Sequence, residues 1–292
     1  MMSFNDDASW TILSNIEQSI KVKIEQHGVK LKDWDVNIYR GVLTGYNDAF
    51  IISGERKDAL IEKDPKSAEL IRPILRGRDI KRYEYTFADL WLIATFPSRN
   101  YDIDEYPAIK EHLLMFGVER LEQTGKKHIV NGVEIKARKK TNNKWFETQD
   151  SISYWDDFSK PKIVWGNLCL SSQFSFANED LFVNAPSPMI VPGNKYILAV
   201  LNSKLADWYI RQLGVTRNGG YFEYKPMFVE QLPIPQISKD EEGAFVSIVD
   251  RILEKKNDGE DTQNLEGEID KLVYQLYGLT AEEVEYIKLQ LN

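Results

Sequence analysis

The sequence predicts an α+β fold: a mixed or antiparallel β-sheet domain with flanking helices, followed by a C-terminal helical hairpin or bundle. Apolar residues recur at helical spacing at both ends of the chain, while β-branched and aromatic runs punctuated by Gly, Pro and Asn fill the middle. Charge divides in the same way. Residues 239–292 hold 6 Lys and Arg against 14 Asp and Glu, which leaves 31 against 31 of the totals of 37 and 45 for everything before them. The chain therefore reads as one domain over 1–238, opened by a helix, and an acidic helical segment over 239–292 that serves as a spacer or a subunit contact.

Ile12, Ile16, Ile20 and Ile24 predict an amphipathic helix from about Ala8 to His27, closed by Gly28. "DVNIYRGVLTGYNDAFIIS" reads as two strands joined by a turn at Gly45, and "ADLWLIATFP" as another strand. Between them Asp64-Pro65-Lys66-Ser67 starts a short helix running to about Leu75. "EYPAIKEHLLMFGVERLEQT" spaces Ile109, Leu113, Phe116 and Leu121 as one helix. Asn131-Gly132 marks a hairpin in "IVNGVEIK", and "PKIVWGNLCL" reads as a buried strand. The texture then turns helical in "KYILAVLNSKLADWYIRQL", with Asn202-Ser203 placed to cap or break the helix midway, before the proline-marked connector "QLPIPQIS". In the tail, Phe245, Ile248, Val249, Ile252 and Leu253 line one helix face. Leu265, Ile269, Leu272, Val273 and Leu276 line a second, and Thr280 with Glu283 forms a capping box for a last short helix.

The totals exclude several classes. An apolar content of 42% over 292 residues supports a real core, and no apolar run approaches the roughly 18 to 20 residues of a membrane span. With an acidic start where a secretory signal would be basic, the reading is a soluble, cytoplasmic protein without a membrane partner. Cys169 is the only cysteine, and His27, His112 and His128 lie far apart, so neither disulfide nor zinc spacing is present. No glycine-rich phosphate loop, G-x-G-x-x-G, G-x-S-x-G or H-E-x-x-H occurs. Asn184-Ala185-Pro186-Ser187 lacks the second proline and the aromatic platform of an adenine-holding Asn-Pro-Pro motif and reads as a loop. No Phe-x-Gly-x-Gly turn of an S-adenosylmethionine pocket is present. We therefore expect no catalytic site, cofactor or metal in this chain. One enzyme-like signal stands against that expectation: Glu134-Ile135-Lys136 on a strand, with Asp102 or Asp104 upstream, is the pattern of an Mg²⁺-dependent nuclease. An exposed charged strand face is its plainer reading.

The stronger signal is for nucleic acid. Residues 120–146 carry 8 Lys and Arg against 2 Asp and Glu, a local patch to which a phosphate backbone responds. Arg76-Gly77-Arg78-Asp79-Ile80-Lys81-Arg82-Tyr83 sets four cations beside a glycine and an aromatic. Lys136, Arg138, Lys139, Lys140, Lys144 and Trp145 repeat the pattern, and Arg217-Asn218-Gly219-Gly220 puts a donor-rich pair on a turn. A solvated surface explains any one cluster; three in one chain favour binding.

With these residues in view, the chain resembles the TaqI-like C-terminal specificity domain, the target-recognition region of Type IIG restriction-modification proteins and related adenine-specific DNA methyltransferases. "RGVLTGYNDAFII" resembles that family's opening, "KSAELIRPILRGRDIKRY" its Leu-Arg-Gly-Arg-Asp-Ile segment, and "KWFETQDSISYWDDFSKPKIVWGN" its Lys-Pro-Lys-Ile stretch. "YILAVLNSKLADWYI" with "VEQLPIP" is similar to its closing helix and proline exit. The resemblance implies a domain that docks on double-stranded DNA and selects the site at which an N6-adenine methyltransferase, or an endonuclease, acts. That catalytic part would be fused in cis or supplied in trans, as a Type I-like specificity subunit works with separate methylase chains. It would bring S-adenosylmethionine, and Mg²⁺ where a nuclease is attached. On this reading Thr44, Tyr46, Asn47, Arg76, Arg78 and Arg217, with Asn218 beside it, lie at or near base edges. Lys81, Arg82, Lys136, Arg138, Lys139, Lys140 and Lys144 lie on phosphates. A protein-interaction role resting on the tail helices is a third reading.

Overall fold

A computed structural model describes residues 14–177 and 180–291 of the chain. At its centre, strand Lys162–Trp165 pairs antiparallel with Phe174–Ala177 on one side and Pro188–Val191 on the other, and Asn37–Arg40 completes that four-stranded sheet. A second four-stranded sheet orders Phe182–Val183, Ile71–Leu75, Leu90–Ile93 and Ile51–Ser53, with one parallel pairing, between Phe182–Val183 and Ile71–Leu75. A parallel bridge between Val42 and Asn184 joins the two. The fold is α+β, as the sequence predicts.

All four residues of Lys162–Trp165 are buried, and their alternation explains the layering. Ile163 and Trp165 enter one core and Val164 the other, because successive side chains of a strand point to opposite faces. The first core collects Asn15–His27, Lys195–Leu201, Lys204–Leu213 and the tail helices Lys239–Asn257, Gln263–Leu276 and Ala281–Leu291. The tail thus buries Phe245, Val249, Ile269 and Ile287 in the same core as Ile20 and Tyr196. Glu283 accepts from Ser19 Oγ and Lys23 Nζ, both at 2.7 Å, and so ties the first helix to the last. The second core packs the second sheet against helix Pro107–Leu114 and stacks Phe158 on Phe182 at 4.2 Å.

Local chemistry accounts for both the agreements and the departures. Ser14 and Glu17 form a reciprocal capping box that opens the first helix at Asn15; the predicted start, residues 8–13 with Ile12, lies outside the described residues. Ser203 caps Lys204–Leu213 and divides the long helix where expected. Thr280 and Glu283 cap Ala281–Leu291. Residues 65–75 depart from prediction: a 3₁₀ turn, Pro65–Leu70, gives way to a strand, because Pro73 cannot continue a helix and Ile71 and Ile74 fill the sheet. Gly117, at φ +80°, splits the next helix into Pro107–Leu114 and Val118–Leu121. Gly54–Lys63, unanticipated, is helical with Ser53 as its cap.

The Gly45 region is not a hairpin. Asn37–Arg40 and Ile51–Ser53 belong to different sheets, and Asn47–Phe50 forms one helical turn between them. The chain can cross because Gly41 lies against residue 183: a Cβ there would sit 2.4 Å from the Val183 carbonyl oxygen.

Candidate nucleic-acid interface

The sequence clusters assemble into two regions. One is a cleft of about 530 Å³ where Arg76, Arg78 and Lys81 face Asn167, Gln173 and Asn184, with Leu168, Leu170 and Tyr221 along its lip. Gly77 sits so close to Ser187 that a Cβ would lie 2.4 Å from its Oγ, which brings the 76–81 backbone against the 184–187 loop. That loop, Asn184-Ala185-Pro186-Ser187, forms part of the wall.

Carboxylates aim the arginines around this cleft. Asp79 takes Arg76 bidentately, Nε at 2.7 Å and Nη2 at 2.9 Å, and raises the guanidinium above its usual range. Arg211 is held the same way by Asp207, at 2.9 Å from both nitrogens. Arg217 donates from Nε to Glu223 at 2.6 Å, and Lys225 and Arg217 together hold that carboxyl below its ordinary value. Asn218 is exposed on the turn between Thr216–Arg217 and Tyr221–Glu223. Arg78 and Lys81 are exposed and form no ion pair among the described residues.

Arg82 is not on this surface. Its guanidinium pairs with Glu266 of the tail, and Tyr83 beside it is buried in the first core, so the assignment of Arg82 to phosphate is corrected to an internal strut. The reason is the register of the hairpin Ile80–Lys81 and Glu84–Tyr85, whose turn at Tyr83 (φ +61°) points inward.

The second region is built around Arg138, which is 3% exposed. Nε donates to the Leu121 carbonyl at 2.6 Å, Nη1 to those of Thr44 and Glu147 at 2.8 Å, and Nη2 to that of Trp145 at 2.6 Å. Burial pulls its pKa down to about 10, against the opposing pull of Glu147, so it remains a cation. Arg138 is therefore a clamp holding the Thr44 turn, the Leu121 turn and the 145–147 loop together, and its assignment to phosphate is corrected.

Thr44, fully buried, is likewise corrected from a base-edge role. Its hydroxyl donates to Asn47 Oδ1 at 2.7 Å and accepts from Tyr46 N at 3.2 Å, which fixes the turn. Gly45 is required here, at φ +80° and with a Cβ position only 2.7 Å from Gln149 Oε1. Tyr46 packs edge-on to Phe116 with the Arg120 guanidinium 4.2 Å from its ring centroid, and Asn47 is exposed. Lys136, Lys139, Lys140 and Lys144 are exposed, as is Lys126, and none forms an ion pair among the described residues.

Glu134 pairs with Lys127 at 2.8 Å on the exposed hairpin, Asp102 accepts from Asp104 N at 3.0 Å, and Asp104 pairs with Lys110. Among the described residues no three His, Cys, Asp or Glu side chains come together to hold a metal, and no helix is long and apolar enough to cross a membrane.

Sequence reasoning missed the cleft's amides. Asn167 and Gln173 sit in loops that return from the central strand, separated from the Arg76 run they face by about ninety positions of chain; only the Gly-Asn ending of "KIVWGN" hinted at them.

An arginine- and amide-lined cleft, with exposed lysines elsewhere on the chain, is the arrangement a nucleic-acid recognition domain uses. The TaqI-like C-terminal specificity domain matches residues 72–234, more than half of the chain, and the chain belongs to that family. It is thus a DNA specificity domain of the restriction-modification class. It is similar to the Type II methyltransferase M.MjaIV of Methanocaldococcus jannaschii, 23% identical over 245 residues, which cover 80% of this chain and 76% of that protein. Its fold is shared with the Type IIL restriction-modification enzyme MmeI, whose structure was determined in complex with DNA: TM-score 0.63, 13% identity, 89% of this chain. The chain spans 36% of the length of MmeI.

Proposed function

We propose that this chain selects the DNA sequence at which an N6-adenine methyltransferase, fused to it or acting as a separate subunit, and an endonuclease where one is present, carries out its reaction. S-adenosylmethionine, and Mg²⁺ where cutting occurs, would be bound by that catalytic part. The observation that carries the reading is the cleft in which Arg76, held by Asp79, faces Asn167, Gln173 and Asn184. Arg forks onto guanine and Asn or Gln onto adenine in the major groove, so this set offers direct readout. Arg78, Arg217, Asn218 and Asn47 supply further exposed donors. Lys81, Lys136, Lys139, Lys140 and Lys144 neutralise phosphates and set register.

The test is selection of duplexes from a random pool by the full chain, followed by incubation of the recovered duplex with the methyltransferase and S-adenosylmethionine. Enrichment of one short motif, then N6-methyladenine inside it, is the expected result. Recovery of unrelated duplexes with equal affinity would overturn the recognition reading, and a recovered motif that stays unmethylated would overturn the methyltransferase part alone.

A further inference from the structure

The hairpin Lys127–Val130 and Val133–Lys136 projects from the Arg138 region and carries a feature that phosphate binding leaves unexplained. Ile129 is 80% exposed, more than any other large apolar side chain among the described residues, and Val133 is 62% exposed. They flank the Asn131-Gly132 turn, whose two residues both have positive φ, +50° and +79°, as a twisted two-residue hairpin requires. In the register Ile129 opposite Glu134 and Val130 opposite Val133, the two exposed side chains fall on opposite faces of the ribbon.

The ribbon is fixed at its base. Ala137 N donates to the Lys126 carbonyl and Gly125 N to that of Arg138, both at 2.8 Å, and His128 meets Glu122. Arg138 locks that base to the Thr44 turn. Exposed Lys136, Lys139 and Lys140, which form no ion pair among the described residues, put positive charge at the base, so the surface the tip would meet is polyanionic. A two-stranded ribbon fits the major groove, about 12 Å wide, and not the minor groove of about 6 Å. The apolar group that major-groove base edges present is the thymine 5-methyl.

We propose that this hairpin is a DNA-reading β-ribbon that enters the major groove tip first, so that Ile129 and Val133, on its two faces, each contact thymine methyl groups while the lysines at its base hold the flanking phosphates. The proposal rests on the DNA-recognition reading and adds specificity residues outside the cleft.

The test replaces thymidine by deoxyuridine, one position at a time, in the duplex that the full chain recovers from a random pool. At one or two positions the wild-type Kd rises about fourfold, the worth of one buried methyl. Ile129→Ser and Val133→Ser, both on exposed sites and expected to keep the wild-type melting temperature, bind more weakly and no longer distinguish thymine from uracil there. Wild-type indifference to every replacement, or full sensitivity retained by both variants, overturns the proposal while leaving the cleft reading intact. Failure to recover any duplex overturns DNA recognition itself, and this inference with it.

Discussion

Around the cleft, Arg76, Arg211 and Arg217 each lean on a carboxylate, Asp79, Asp207 and Glu223, whereas across 120–146 Lys136, Lys139, Lys140 and Lys144 form no ion pair among the described residues. A carboxylate partner cancels much of an arginine's charge but fixes where its remaining donors point. A free lysine keeps its charge and gives no direction. The two regions therefore divide the work of recognition, the cleft toward sequence and the lysine field toward affinity. Arg138 shows the limit of reading such work from composition, since its charge lies in the basic run but serves the fold.

Several variants would break or sharpen this contrast. The largest effect belongs to Arg138→Ala, which takes their donor from the carbonyls of Thr44, Leu121 and Trp145 and leaves that of Glu147 with Gln123 Nε2 alone; unfolding in urea should show a loss of about 3 kcal/mol or more. Lys139→Ala/Lys140→Ala should leave the urea midpoint alone. On that double variant, binding should weaken on all sequences alike, and the slope of log K against log salt should become shallower by about 2. Asp79→Ala sets charge against direction: it adds net positive charge, yet by releasing Arg76 it should cost about 1–3 kcal/mol of discrimination at one base pair, read by competition between matched and mismatched duplexes. If it tightened binding and kept discrimination, the carboxylate would not be aiming the arginine.

The smallest effect concerns pH. Burial holds His112 below its ordinary pKa of 6.5, and the ring lies 3.0 Å from the Ala49 carbonyl through Nε2 and accepts from Arg56 Nε at 3.1 Å through Nδ1. A neutral ring satisfies both contacts. A folded-state pKa below the unfolded one means that this contribution is complete above about pH 6.5 and declines as pH falls through it. The melting temperature of the wild type should therefore fall more between pH 7 and pH 5.5 than that of His112→Gln.

Much of this was legible in the sequence where the governing interactions are local. Ser203 and Thr280 announced their helices through capping, and Asn131-Gly132 announced its hairpin, because in each case the deciding hydrogen bonds or turn residues lie within four positions. The Thr44 turn misled because its partners, Arg138 and residue 149, lie about a hundred positions away and no local pattern records them. The same holds for Arg82, whose carboxylate comes from the tail, and for the cleft's amides, which meet the basic run only when the two sheets join at Val42 and Asn184. Basic clusters could be located from sequence; which of their members face outward could not.

The most direct test of the division is a salt titration of the full chain on the recovered duplex and on a scrambled duplex of equal length. The account predicts two steep, nearly parallel lines of log K against log salt, separated by a constant offset. Lys139→Ala/Lys140→Ala should flatten both lines and keep the offset, and Arg76→Ala/Arg78→Ala should shrink the offset with a smaller change in slope. A flat dependence on salt, coincident lines for the two duplexes, or variants that alter slope and offset in the same proportion would contradict it.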